Sequence, residues 1–323
     1  MNKVLIIFSM FFLFSLNLHA VTIKIAVLAP DGTTWAKYLK KMSKDVKKAT
    51  GGNVRFKIYY GGSQGDEQDV LRKIRVGQLH GGIFTGKTLA EINGDVRVIE
   101  VPFTFYHDRN KANNVLKKMS TYFNEGFRKN GFKNLGFFEL GQVYFISKKK
   151  AESIDGMKNI KIWLWDGDEL VARLIKNLEL VSVPLALTDV LTSLQTGMVE
   201  AAYAPPTGIL AVQWHTKVKY LIDFPLAYSI GAFLVNDKSW KKIPLEYRKI
   251  VEEISLKYTE KVNQATVKDN VESLAAIKST GIEFVEFSKK DIEQSSEIRK
   301  QVIKDLTGKV FSAKAINLLE KYL

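Results

Sequence analysis

The chain has 323 residues, of which 46% are hydrophobic and 25% are charged. This length and composition are typical of a soluble globular protein with one large core or two ordinary ones, and they exclude an intrinsically disordered chain. The absence of cysteine excludes thiol catalysis, disulfides and cysteine-based metal sites. The formal net charge of +14 is compatible with nucleic-acid binding, but the lysines are spread over the whole chain without a recognised nucleic-acid-binding module, so we expect no such partner.

The first twenty residues have the pattern of a secretory signal peptide. Lys3 precedes an almost wholly apolar run from Val4 to Leu18, and Ala20 is a small residue suited to cleavage. The run is about 15 residues long, whereas a membrane-spanning helix needs ~20, which disfavours the alternative of an uncleaved anchor. We therefore expect residues 1–20 to be removed and the mature protein to be periplasmic.

The rest of the chain alternates between strand and helix patterns. The first block predicts a strand at 22–28, a helix from about 34 to 49, a strand at 54–60 and a helix at 67–76. The second block predicts strands at 143–146, 160–165, 181–185, 230–235 and 282–287, and helices at 169–178, 189–195 and 244–278. Such alternation predicts an α/β fold with a layered sheet.

One segment matches the phosphate-binding loop of nucleotide hydrolases. Residues Gly81–Thr88 satisfy the pattern G-x-x-x-x-G-K-[ST]. That site needs a buried apolar strand leading into the loop and a second strand ending in Asp for magnesium, and the surrounding sequence has neither. We interpret the segment as a glycine-rich strand and loop at a close backbone approach.

No metal or cofactor site is predicted. The three histidines beyond residue 20 have no metal-ligand spacing, and no catalytic signature is present. The acidic residues Asp166, Asp168 and Glu169 lack the spacing of a calcium loop, and we interpret them as the start of a helix, where they complement its dipole. Asp166 also follows a strand, where ligand clefts of open α/β sheets lie.

The aromatic residues of the second block indicate a binding cleft. Trp163 and Trp165 alternate on one strand and share a face, Tyr203 precedes a Pro-Pro turn, and Trp214 follows. An aromatic core is the alternative explanation for any one of them. Their position at the ends of elements favours a cleft wall.

The chain resembles the DctP-type solute-binding proteins of TRAP (tripartite, ATP-independent periplasmic) transporters over nearly all of its mature length. The matching segments, in order, are Ala29–Thr33 with Trp35, Thr50–Gly52, Tyr60–Glu67, Val101–Phe103, Ile154–Ile162, Pro184–Leu185, Asp189–Val190, Leu194–Ala201 and Trp240–Pro244. Each segment is weak alone, and their order makes the resemblance specific.

The resemblance implies a two-lobed periplasmic binding protein fold with a cleft between the lobes and a long helix that touches both. We expect one lobe to comprise 21–140 plus 229–268, and the other 141–228 plus 269–323 with the C-terminal helices. It also implies a receptor, expected to be a monomer and not an enzyme, that binds a small organic solute and delivers it to TRAP membrane subunits. A periplasmic sensor or scaffold of the same fold is the alternative, and a secreted enzyme is less favoured because the cleft candidates Asp31, Glu139 and Asp166 form no recognisable acid/base pair.

The sequence departs from the family at the expected ligand site. Members of the family commonly use an Arg, two residues after the Lys161 position, to bind the ligand carboxylate; here Trp163 stands there, and Ala204 replaces a common Asn. Charged hydrogen bonds contribute about 1.5–3 kcal/mol each, so we expect this loss to remove most of the selectivity for simple carboxylates. The solute is then aromatic, apolar or cationic, or an acid held by another donor such as Lys161, Gln142 or backbone N–H groups.

The predicted binding residues follow from these patterns. Trp163 and Trp165 are expected to form aromatic walls, and Asp166 and Tyr203 to make polar contacts. Phe84, Gln142 and Gln195 complete the predicted set.

Overall fold

The computed structural model describes residues 20–106 and 108–323. The predicted signal peptide therefore lies outside the described residues, apart from Ala20. Within the described part of the chain, no helix combines the length and the apolar character that crossing a membrane requires.

The described residues form strands, α-helices and short 3-10 segments. The strands are β1 (Val21–Val27), β2 (Val54–Tyr59), β3 (Gly81–Thr85), β4 (Phe132–Ser147), β5 (Lys161–Trp165), β6 (Val181–Leu185), β7 (Ala201–Ala204), β8 (Tyr220–Asn236) and β9 (Glu283–Val285). The helices are α1 (Thr34–Ala49), α2 (Glu67–Arg75), α3 (Gly86–Ala90), α4 (Arg109–Lys129), α5 (Glu169–Asn177), α6 (Val190–Thr196), α7 (Pro206–Ala211), α8 (Asp237–Trp240), α9 (Leu245–Ser279), α10 (Lys289–Leu306) and α11 (Ala313–Tyr322).

All strands join one mixed sheet in the order β2-β1-β3-β8-β4-β7-β5-β6, with β9 paired to β8. Strands β1, β2 and β3 are mutually parallel on one side, and β5 is parallel to β6 and β7 on the other. The long antiparallel pair β4 and β8 connects the two groups. We call the part built on β1–β3 the first lobe and the part built on β5–β7 the second lobe.

The two connecting strands are longer than predicted. The apolar patterns predicted strands at 143–146 and 230–235 only, whereas β4 has 16 residues and β8 has 17. Their pairing contains three register shifts, and Gly136 and Gly141 in β4 have positive φ values of 154° and 107°. Such irregularities interrupt the alternation of buried and exposed side chains, and for this reason periodicity alone misses the full length.

Helix α9 contacts both lobes, as the resemblance implied. Near its middle, the Thr266 hydroxyl accepts a hydrogen bond from Trp35 Nε1 of the first lobe at 3.0 Å. One turn later, Asn270 donates to the Leu140 carbonyl at 2.8 Å and accepts from the Thr207 N–H at 3.1 Å. The Asn270 side chain thus joins α9 to β4 and α7 at the crossing between the lobes.

The two C-terminal helices pack on different parts of the molecule. Helix α10 lies against α5 of the second lobe, whereas α11 lies against α4 and the 3-10 segment Gly94–Glu100. That segment packs against α3, which directly follows β3 of the first lobe. The C-terminus therefore contacts both halves of the chain.

The glycine-rich segment forms a strand, not a phosphate loop. Gly81–Thr85 is β3, which pairs with β1 and β8, and α3 begins directly at Gly86. A Cβ at Gly81 would overlap the Leu234 carbonyl oxygen of β8, so the close backbone approach that was predicted is confirmed. The strand pairing occupies backbone N–H groups that a phosphate loop would turn towards its ligand.

Candidate functional site

The main cavity lies between the two lobes and has an internal volume of about 200 Å³. Most of its lining is apolar, including Leu170, Leu174 and Ile175 of α5. A second cavity of about 200 Å³ adjoins it, and Leu140 and Trp165 line both. Each volume is below the ~300–1,000 Å³ typical of small-molecule sites, so the space suits a small solute.

Trp163 stands at the centre of an aromatic cluster on the wall of the main cavity. Its ring stacks on Tyr203 with centroids 4.9 Å apart and planes 19° from parallel. Trp165 lies 5.7 Å away, and Trp214 meets the ring edge-on at 5.2 Å. Only 2% of Trp163 is exposed, and it also packs with the buried core of the second lobe. The residue is therefore both a core residue and a cavity wall, two roles that the sequence presented as alternatives.

The indole N–H of Trp163 has a partner within the protein. Nε1 donates to the Leu185 carbonyl oxygen of the neighbouring strand β6 at 3.0 Å. The indole N–H is therefore not free to donate to a ligand. Trp163 presents apolar surface to the cavity, without a free donor.

Trp165 connects the lobes across the cleft. Its Nε1 donates to Asp66 Oδ2 at 2.8 Å, and Asp66 is the N-cap of α2 in the first lobe. The backbone N–H of Trp165 donates to the Tyr203 hydroxyl at 3.3 Å. Both N–H groups of Trp165 thereby have acceptors, and its ring lines both cavities.

A buried cluster of three charged residues forms one end of the main cavity. Arg97 pairs with Glu100 and, at 2.6 Å, with Asp168 of the second lobe, and their side chains are only 5–6% exposed. Glu100 also accepts hydrogen bonds from the Ser229 hydroxyl at 2.9 Å and the Ile230 N–H at 2.8 Å. Burial raises the pKa of Glu100, while the positive charge of Arg97 opposes that rise.

Local structure positions each member of this cluster. Asp168 is the N-cap of α5, and its carboxylate accepts from the Val171 N–H at 3.1 Å. This confirms the interpretation of the acidic run as a helix start. Gly86 lies directly beside Glu100, and a Cβ there would overlap the carboxylate. The ion pair between Arg97 and Asp168 therefore forms a second contact across the cleft.

The structure brings some of the predicted binding residues together and separates others. Trp163, Trp165 and Tyr203 line the main cavity, and Phe84 lines the adjoining one. Asp166 is exposed and lines neither cavity, because the chain turns at Gly167 and places Asp168 inward instead.

The two predicted glutamines also lie away from the main cavity. Gln195 is exposed on α6. Gln142 lines a separate space of about 160 Å³ under α9, together with Arg109 and Glu139. The alternation of β4 at its irregular centre turns Gln142 away from the aromatic wall.

Sequence reasoning missed four charged residues at the cavity: Lys87, Arg97, Glu100 and Asp168. A signal for two of them was present, because Arg97 and Glu100 interrupt an otherwise apolar run from Val96 to Val101. Charges in such a run are buried only when they are paired, so the spacing of three residues predicts an ion pair. For Lys87, the sequence pattern indicates only the nucleotide motif. Within the described residues, no cluster of His, Asp or Glu side chains is placed to hold a metal ion.

Comparison with known proteins identifies the family. Residues 25–309 match the family DctP, described as bacterial extracellular solute-binding protein, family 7. A solute-binding protein of Verminephrobacter eiseniae is 23% identical over 272 residues, which cover 82% of this chain and 79% of that protein.

Solved structures share the fold. A TRAP periplasmic solute-binding protein of Haemophilus influenzae with bound L-gulonate superimposes with a TM-score of 0.86 at 21% identity, covering 94% of this chain and 98% of that one. A TRAP periplasmic solute-binding protein of Desulfovibrio salexigens with bound orotic acid gives a TM-score of 0.85 at 21% identity, covering 93% and 97%. These likenesses confirm the predicted two-lobed α/β fold. Because the family match covers most of the chain, the chain belongs to the DctP family of bacterial extracellular solute-binding proteins.

Proposed function

We propose that this protein is a periplasmic receptor that binds a small organic solute with an apolar or aromatic body between its lobes. The main support for this proposal is the aromatic wall around Trp163. The only polar group of the Trp163 side chain, its indole N–H, already donates to the Leu185 carbonyl. Such a wall contributes apolar contact and ring stacking, and it offers no bidentate clamp for a carboxylate. The bound form is delivered to TRAP-type membrane subunits, and the receptor acts as a monomer.

Closure of the lobes distinguishes the solute-bound receptor from the free one. We propose lobes of 21–140 plus 229–268 and of 141–228 plus 269–323, so that the cleft contacts join one lobe to the other. The contacts in question are Trp165 to Asp66 and Arg97 to Asp168. A solute between the lobes shifts a pre-existing equilibrium towards the closed form, which the membrane subunits then recognise.

A catalytic role is disfavoured by the state of the cavity carboxylates. Glu100 and Asp168, which line the cavity, accept several hydrogen bonds each and share Arg97 as their counter-ion. Groups held in this way are poorly suited to exchange protons with a substrate. Absence of turnover of every bound solute, measured by chromatography after long incubation, would support the receptor role over an enzyme.

The test is a binding screen followed by substitution of Trp163. Thermal-shift screening of apolar and aromatic solutes identifies a ligand, and calorimetry then compares wild type with Trp163→Ala and Trp163→Arg. We expect Trp163→Ala to weaken binding at least tenfold, because stacking and enclosure are lost. Val181→Ala, at an exposed position on the neighbouring strand β6, is the matched control and should leave affinity unchanged.

The same screen tests the ligand class. Succinate and N-acetylneuraminate should not bind wild type, because the clamp arginine is replaced by Trp163. Micromolar affinity for either compound, or a dissociation constant that Trp163→Ala leaves unchanged, would contradict the assignment of this cavity. The two neighbouring structures were solved with L-gulonate and orotic acid, so acids with larger bodies belong in the screen.

A further inference from the structure

Lys87 is a buried cation on the wall of the main cavity. It lies in α3, only 5% of the residue is exposed, and its side chain lines the cavity. Within the described part of the chain, its Nζ has no hydrogen-bond acceptor. The nearest opposite charge is the Glu91 carboxylate at 3.6 Å, and the Trp165 ring centroid is 5.9 Å away.

The other charged groups of the cavity are already paired. Arg97 contacts both Glu100 and Asp168. Glu100 has two further donors and Asp168 caps α5, so neither carboxylate is available to a cationic solute without breaking existing bonds. Lys87 differs because three ammonium hydrogens have no acceptor at hydrogen-bond distance.

A buried ammonium without an acceptor is costly, and a negatively charged partner removes that cost. The cation–π contact with Trp165 and the pair with Glu91 compensate only in part, because the first is long and the second joins a partly exposed carboxylate. The cavity therefore offers, next to the aromatic wall, a cation that has no hydrogen-bond acceptor among the described residues.

We propose that Lys87 binds the single anionic group of the solute while the apolar or aromatic body packs against Trp163 and Trp165. This assignment rests on the proposed receptor function. It places the charged contact on the first lobe and the apolar contact on the second, so that one ligand connects both lobes when they close. A lysine provides a point charge, whereas an arginine clamp binds a carboxylate through two parallel hydrogen bonds.

Matched ligand pairs test the charge preference. Benzoate, phenylacetate and 3-phenylpropionate are compared with their amides and with benzylamine by calorimetry on the full mature chain. We expect at least one acid to bind and its amide to bind about 10- to 100-fold more weakly, as for the loss of a charge-assisted hydrogen bond. An amide or benzylamine that binds as tightly as the acids overturns the role of Lys87 and leaves the receptor function standing, whereas no binding by any of these compounds overturns both.

Substitution of Lys87 tests the residue itself. Lys87→Met should weaken the acid about 10- to 100-fold and change the amide by no more than about 2-fold. Lys161→Met removes an exposed lysine of β5, the donor that the sequence suggested, and should leave both affinities unchanged. Equal losses for acid and amide in Lys87→Met, or a larger loss in Lys161→Met, would overturn the proposal.

A third variant covers the case in which Lys87→Met does not fold. Glu91→Gln removes the carboxylate that competes for the ammonium and leaves Lys87 in place. If Lys87 holds the solute anion, the acid should bind Glu91→Gln at least as tightly as wild type. Weaker binding of the acid by this variant would contradict the proposed contact.

Discussion

We expect the ion pair between Arg97 and Asp168 to contribute strongly to the stability of the folded protein, because it is buried and joins the two lobes. The two groups are 2.6 Å apart, which corresponds to about 6 kcal/mol of attraction at an effective dielectric constant of about 20, before the cost of desolvation. Arg97→Met leaves Glu100 and Asp168 buried side by side without their counter-ion. We expect this variant to lose about 3–5 kcal/mol of unfolding free energy, as for other broken buried pairs.

A double-mutant cycle in urea measures this contact. Asp168→Asn is the partner variant, because Asn retains the ability to cap α5 while losing the charge. We expect the double variant to be more stable than the sum of the single losses predicts, by at least about 1.5 kcal/mol. The exposed pair of Lys40 and Asp31 is the control, and Lys40→Met should cost less than about 1 kcal/mol.

The shape of the protein provides the second measurement. Without the ion pair, the ligand-free chain should populate a more open form, visible as a larger radius of gyration in small-angle X-ray scattering. A loss below about 1 kcal/mol in Arg97→Met, or strictly additive effects in the cycle, would refute the reasoning. Either result would mean that Arg97 and Asp168 do not form a buried contact across the cleft in solution.

Three further predictions concern stability. Burial raises the pKa of Glu67 from 4.5 to about 7, so the protonated side chain stabilises the folded state most below pH 4.5. The free energy of unfolding should fall by about 3 kcal/mol as the pH rises through 7, and a plot of this free energy against pH for Glu67→Gln should lack that slope. Trp163→Phe should cost about 1–3 kcal/mol in urea, since it replaces a buried indole by a smaller ring and removes one of the two hydrogen bonds that the Leu185 carbonyl accepts, the other coming from the Asp166 N–H at 3.3 Å; no measurable loss would contradict the indole bond. Gly81→Ala should cost at least about 1–3 kcal/mol because its Cβ overlaps β8, whereas Gly156→Ala, with its Cβ 3.4 Å from the nearest side-chain atom, should be nearly neutral in the same melts.

Much of the fold could be predicted because its elements depend on local patterns. Helix α1 runs from Thr34 to Ala49 with Thr33 as its N-cap, close to the predicted bounds, and Leu39, Met42 and Val46 are buried as the helical period requires. The long helix was predicted at 244–278 and is observed at Leu245–Ser279. In each case the signals lie within the helix or in the residue directly before it, Thr33 for α1 and Pro244 for the long helix.

The cavity could be predicted only in part, because its polar contacts join residues that are distant in the sequence. Trp165 and Asp66 are 99 residues apart, and Arg97 and Asp168 are 71 apart. The sequence predicted a binding role for Asp166 and only a helix start for Asp168, whereas the turn at Gly167 places Asp168 inward and Asp166 outward. Periodicity within a single element carries no information about such pairings.

The segment from Gly81 to Thr88 matches a phosphate-loop motif, and its lysine is here proposed to bind an anion, although the segment does not form a phosphate loop. In a phosphate loop, backbone N–H groups and a lysine share the anion. Here the backbone N–H groups of β3 are engaged by sheet pairing and by the buried Glu67 carboxylate, which accepts from Thr85 N–H at 3.0 Å. Among the described residues, the Lys87 ammonium has no hydrogen-bond acceptor. An anion bound there would therefore depend on one side chain, and replacing Lys87 should abolish the charge preference, a result that a backbone phosphate loop would not give.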